Sequence, residues 1–199
     1  MERFIQEFPS TVSLDICERL IAKFDHYENN PAGELSVQDK FASDGGRPGE
    51  DRTKEAMCIY LRPSLLQEHD EELLWLVSKC VDAVYECTFA YVRNVGKVNM
   101  APLQVEQLDF MKYEKGEGFY APHVDAGSRG LHHRILSILV YLNDVMEGGE
   151  TDFPLQDRKI KPEAGKVAIF PSFFSFVHGS NRTVSASKYV LVSFSSYAE

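Results

Sequence analysis

The chain has 199 residues, with 30 acidic against 21 basic side chains, a formal net charge of −9 and a pI near 5.2. A chain of this length buries a core without needing disulfides or a structural metal, and its negative balance repels phosphate backbones and anionic lipid surfaces, which sets aside nucleic acid and membrane partners. The opening MERFIQEFPS carries acids and no continuous apolar stretch, and no later segment offers the run a membrane span needs, so a cytoplasmic protein is expected.

SLDICERLIAKF places Leu14, Cys17, Leu20, Ile21 and Phe24 at helical spacing behind Ser13 as N-cap. The polar, glycine-rich SDGGRPGEDR, Ser43 to Arg52, can neither form a core nor hold regular structure; a mobile loop is expected there, acting as a lid over bound substrate. MCIYL reads as a strand. Asp70 to Tyr91 then sets Leu73, Val77, Cys80, Val84 and Cys87 on one face of a long helix. From Gln104 onward short strand-like runs alternate with turn residues: QVEQLDFMKY, RILSILVYLND, KVAIFPSF and KYVLVSFSSY. No repeat or linker divides the chain. The expectation is a single α+β domain, 1–199, with helical support over about 1–100 and a jelly-roll, or double-stranded β-helix, core over about 101–199. Cys17, Cys58, Cys80 and Cys87 form no C-x-x-C pair and read as packed thiols.

Within FYAPHVDAG, His123 and Asp125 are two residues apart, so on a strand they offer an imidazole and a carboxylate to one point. His-x-Asp alone is common by chance, and a third ligand is needed. His178, at the end of an apolar strand in FFSFVHGSN, is the candidate. A hairpin turning near Thr183 would set it opposite Lys188 on one face. Two histidines and one carboxylate are the ligand set of non-haem Fe(II) oxygenases, with open positions for a bidentate cosubstrate and O2. A shielded lysine beside them calls for an anionic partner, which points to 2-oxoglutarate.

YEKGEGFYAPHVD, HRILSILVYLNDVMEGGETDFP, PEAGKVAIF and a lysine ten residues beyond the distal histidine together resemble the prolyl 4-hydroxylase type of Fe(II)/2-oxoglutarate dioxygenases, from about Gln104 to Phe194. The resemblance implies His123, Asp125 and His178 as iron ligands and Lys188 as the anchor of the distal carboxylate of 2-oxoglutarate, with Tyr113 bonded to the same carboxylate. Thr151 either lines the cosubstrate pocket or serves strand pairing. Arg134 either recognises substrate or braces the sheet, and Tyr120 is a candidate substrate contact. The implied reaction hydroxylates an unactivated C–H bond, leading with a prolyl residue of a peptide or protein, releases succinate and CO2, and uses ascorbate as reductant. A free amino acid or small metabolite is the alternative substrate, and a non-catalytic 2-oxoglutarate or oxygen sensor the alternative class. Where collagen-type members carry G-G-C-P-V and K-W, this chain has GSNRTV and Lys188-Tyr189, differences that fall on the substrate side. His132 and His133, adjacent before a strand, read as structural or rim residues, and His26 and His69 as helix-end residues.

Overall fold

A computed structural model describes residues 2–30, 39–40, 54–96 and 102–198. In chain order the elements are β1 (Gln6–Phe8), α1 (Leu14–Asn29), β2 (Asp39–Lys40), β3 (Lys54–Glu55), β4 (Met57–Tyr60), α2 (Pro63–His69) and α3 (Glu71–Val95). They continue through β5 (Leu103–Val105), β6 (Asp109–Tyr113), β7 (Phe119–His123), β8 (Leu136–Tyr141), β9 (Thr151–Phe153) and β10 (Arg158–Ile160) to β11 (Val167–Pro171), β12 (His178–Ser180) and β13 (Lys188–Tyr197).

The helices start where side chains cap them. Ser13 Oγ accepts the Ile16 N–H, and Asp70 accepts the Leu73 N–H at the head of the 25-residue α3. Asp70 also takes Lys23 Nζ at 2.8 Å and the Tyr27 hydroxyl at 2.7 Å, so one carboxylate caps α3 and pins α1 beside it. The α1 stripe buries Cys17, Leu20, Phe24 and Tyr27, whereas Leu14, expected on it, is 61 % exposed because it sits in the first turn before the helix meets the sheet. On α3 the expected stripe of Leu73, Val77, Cys80, Val84 and Cys87 is buried, and the four cysteines are free and buried.

All pairings are antiparallel and form two sheets. The larger runs β1-β11-β8-β13-β6-β4-β2, with β5 also on β13; the smaller runs β10-β9-β12-β7-β3. This is the α+β, jelly-roll arrangement expected, with one difference. The first hundred residues are not only helical support: β1, β2 and β4 extend the large sheet and β3 the small one. Short strands of this kind carry too little periodicity to be legible before their partners are known.

The large sheet is covered on both faces, which accounts for the unbroken burial of β11. Phe110, Ile138, Val140, Ile169 and Leu191 face α1 and α3 in one core; Met111, Tyr113, Tyr141, Phe170 and Val190 face the small sheet, with Phe153 and Ile160, in a second. Phe110 meets Phe24 edge-on at 4.7 Å between ring centroids. Segment Ser43–Arg52, read as a lid, lies outside the described residues.

The helix-side core holds the sheet whose other face lines the cavity described next. Phe110→Ala is expected to lower unfolding free energy by about 3–5 kcal/mol, as a fully buried aromatic removed from a two-layer core; urea denaturation followed by circular dichroism measures it.

Candidate active site

β7 and β12 are neighbours in the small sheet, with His123 and His178 in register across them. The ligand-type atoms of His123, Asp125 and His178 all lie within 4.8 Å of one another. The Nδ1 of His123 is 3.0 Å from the Ala121 carbonyl and that of His178 is 3.1 Å from the Phe176 carbonyl. A carbonyl only accepts, so each Nδ1 carries the proton and each Nε2 keeps its lone pair. Those two Nε2 atoms lie 3.4 and 3.3 Å from Asp125 Oδ1 and Oδ2. Two fixed imidazole lone pairs and one carboxylate converging on a point suit a divalent iron with several positions left for other ligands.

The site is held from behind. Ser137 Oγ donates to Asp125 Oδ2 at 2.5 Å and lies 2.8 Å from Ser172 Oγ. Both serines are buried, on β8 and just after β11, so the large sheet orients a carboxylate that belongs to the small sheet's side. The Tyr120 ring stacks on His123 at 3.6 Å, and Phe170 and Phe153 wall His178 at 4.6 and 5.7 Å.

Between the sheets lies a cavity of about 380 Å³, reached by His123, Asp125 and His178 from one wall. The opposite wall is built by strand alternation. Tyr113 pairs with Lys188, Met111 with Val190 and Asp109 with Val192, each second residue pointing in. Lys188 is 2 % exposed. Its ammonium donates to the Gly149 carbonyl and to Ser180 Oγ, and sits 4.3 Å from the Tyr113 ring centroid. Among the described residues no carboxylate comes within ion-pairing distance of it, and burial pushes it down to about 7. Gly148 and Gly149, both at positive φ, make the turn that presents this carbonyl; a Cβ on Gly148 would stand 2.2 Å from the Arg182 carbonyl oxygen.

The expected hairpin between His178 and Lys188 is not formed. β12 pairs with β7 and β9, β13 pairs with β6, β8 and β5, and Thr183 bridges Gly148 instead of turning a hairpin. Residues 181–187 cross from one sheet to the other, and Lys188 faces the histidines because the sheets face each other. Tyr113 lines the cavity as Lys188's strand partner. Thr151 pairs with Ser180 and Ile160, and its hydroxyl is 2.6 Å from the Tyr141 hydroxyl on the cavity wall. Arg134 is bonded to Glu106 at 3.2 Å, lies over the Phe194 ring at 3.5 Å, and lines the cavity. His133 meets Glu106 at 3.2 Å and His132 is exposed; neither lines the cavity.

Ser137, Ser172, Tyr141 and Ser180 were missed from sequence. The available signal was Ser137 itself, a polar residue inside the apolar run ILSILVY, since a buried hydroxyl needs a partner. Ser137→Ala is expected to weaken divalent metal binding about 10–100-fold while the fold persists, and Ser137→Thr to restore much of it; calorimetric titration with Mn(II) checks both.

Residues 108–196 match the family described as the 2OG-Fe(II) oxygenase superfamily. An Arabidopsis thaliana protein described as a probable prolyl 4-hydroxylase is 29 % identical over 126 residues, which are 49 % of this chain and 43 % of that protein, so the match spans less than half of that relative's length. Among solved structures, the viral collagen prolyl hydroxylase of Paramecium bursaria Chlorella virus 1, in complex with 2-oxoglutarate, superposes with a TM-score of 0.64 at 20 % identity over 98 % of this chain and 97 % of that one. A Pseudomonas putida prolyl-4-hydroxylase gives 0.67 at 17 % identity, covering 98 % and 94 %. A Trichoplax adhaerens prolyl hydroxylase, in complex with a peptide fragment of the hypoxia inducible factor oxygen degradation domain, gives 0.65 at 14 % identity, covering 98 % and 84 %.

Proposed function

We propose that this chain, which carries a 2OG-Fe(II) oxygenase domain of the prolyl 4-hydroxylase type, is an Fe(II)- and 2-oxoglutarate-dependent hydroxylase acting on a prolyl residue of a peptide or protein. One observation carries the reading: the His123, Asp125, His178 cluster and the buried Lys188 ammonium share one cavity, facing each other from different sheets. In it His123, Asp125 and His178 hold the iron, which with 2-oxoglutarate and O2 supplies the oxidising power to hydroxylate an unactivated C–H bond, giving succinate and CO2.

The chain's own residues orient and shield. Ser137 keeps one Asp125 oxygen occupied, leaving the other for the metal. Lys188 receives the far carboxylate of the cosubstrate, with the Tyr113 and Thr151 side chains beside it. Met111, Val190, Leu139 and Tyr141 line the stretch between, an apolar sleeve that keeps water from the reacting end. Tyr120 and Arg134 stand towards the substrate side. The whole chain is read as one catalytic unit, because strands from its first residues and its last share the large sheet. Ascorbate is the reductant to supply in assays. The described residues contain no helix long and apolar enough to cross a membrane, and four unbridged, buried thiols favour a cytoplasmic setting.

The direct test is incubation of iron-loaded protein with 2-oxoglutarate, ascorbate and proline-containing peptides. Gain of one oxygen on proline supports the reading; 2-oxoglutarate consumption with no oxygenated peptide overturns it. Lys188→Ala should leave a buried carboxylate without its cation, a loss of roughly 3–5 kcal/mol, seen as a large rise in the 2-oxoglutarate concentration needed for succinate release. Lys188→Arg should recover only part.

Lys188 also sets a pH signature. With its ammonium at about 7 in the free protein, it is mostly neutral at pH 8 and regains its proton when a carboxylate pairs with it. Binding of 2-oxoglutarate at pH 8 should therefore take up roughly one proton, and at pH 6, where the lysine is already charged, much less. Anaerobic calorimetry in buffers of different ionisation enthalpy measures the uptake, which Lys188→Met should abolish.

A further inference from the structure

The cavity is charged at two levels. Along β6, Tyr113 stands beside Lys188, Met111 follows, and Asp109 comes next, about 13 Å from the Tyr113 level. Asp109 pairs with Val192 on one side and Tyr60 on the other, and all three line the cavity. The cosubstrate's cation is therefore at one end, and a carboxylate projects into the part left for substrate.

The cations near Asp109 are engaged elsewhere. Arg134 is bonded to Glu106 and stacked on Phe194. Lys54 holds its ammonium 4.6 Å from the Tyr120 ring centroid and 3.9 Å from the Met111 sulfur. The hydrogen bond that Asp109 receives comes from the neutral Gln107 side chain, at 2.8 Å. Among the described residues no cation lies within ion-pairing distance of Asp109. Burial raises its carboxyl and outweighs the attraction of Arg134 and Lys54, the mark of a carboxylate short of a counter-ion.

We infer that Asp109 is a specificity-determining residue that receives a cationic side chain of the substrate, so that the preferred substrate is a peptide with lysine or arginine one or two residues from the residue that is hydroxylated. This rests on the proposed hydroxylase reading. Asp109 lies across β13 from Leu139, two strand spacings or about 10 Å away, and Ser137, two residues along β8 from Leu139, holds Asp125. A long basic side chain on a neighbouring substrate residue spans that separation while its proline stands at the metal end. The chain's net charge of −9 draws such peptides in.

The test uses the iron- and 2-oxoglutarate-loaded protein under argon and three labelled peptides alike except for lysine, norleucine or glutamate beside proline. Fluorescence anisotropy should give the lysine peptide about ten-fold or more tighter binding than the norleucine peptide, as expected for a charge-assisted hydrogen bond. Asp109→Asn should erase that difference, and Asp109→Lys should turn the preference towards glutamate. Equal binding of the three peptides by the wild type, no binding of any, or an undiminished lysine preference in Asp109→Asn would overturn the inference. Admitting oxygen then separates the two claims. Charge-selective binding without oxygen transfer leaves the Asp109 assignment standing and sinks the hydroxylase; oxygen transfer indifferent to the neighbouring charge does the reverse.

Discussion

The period-two alternation of the large sheet is the constraint on which the rest depends. On β13, Lys188, Val190, Val192 and Phe194 point to the cavity, while Tyr189 and Leu191 point to the helices. On β8, Ser137, Leu139 and Tyr141 point inward and Ile138 and Val140 outward. A register slip of one residue would send the Lys188 ammonium into the helix core and Tyr189 into the cavity. The apolar layer beneath α1 and α3 forbids this, so the packing of a core with no catalytic group fixes the position of every group on that wall.

The helices secure the same register through polar contacts. The Tyr189 hydroxyl donates to Asp25 at 2.7 Å, and Lys112, also on the outward face, reaches Glu28 at 2.7 Å. Both carboxylates are on α1. Lys112 is 8 % exposed, so losing its carboxylate partners would leave an ammonium shielded from water without a counter-charge. At the other edge, Glu7 of β1 takes both Arg158 and Lys166 at 2.9 Å, tying the small sheet's last strand to the large sheet.

Inside the cavity the chain buries charge of both signs and keeps the groups apart. Asp125 accepts a hydrogen bond from Ser137, and Lys188 is met by a carbonyl, a hydroxyl and an aromatic face. Among the described residues neither is paired with a permanent opposite charge. Such groups raise the energy of the empty cavity and are satisfied by a ligand that brings the missing charge. A cosubstrate with a carboxylate at each end complements this polarity, a metal at one wall and an ammonium deep on the other.

The sequence by itself determined which side chains could share a face. His123 and Asp125 were legible because residues two apart on a strand look the same way, α1 and α3 because their apolar residues recur at helical spacing, and the jelly-roll half because short alternating runs succeed one another between turns. Parity is a local property, and local patterns carry it. Which strands become neighbours is not local. Lys188 was singled out by its spacing from His178 and by a hairpin that does not exist, and the structure brings it to the cavity by a crossover between sheets, opposite Tyr113. Ser137 and Asp109 acquire their surroundings only when β8, β13 and β6 line up and the small sheet closes over them. Those contacts join residues far apart in the chain, so the free energy that selects them comes from burying two cores at once, which no window of sequence contains.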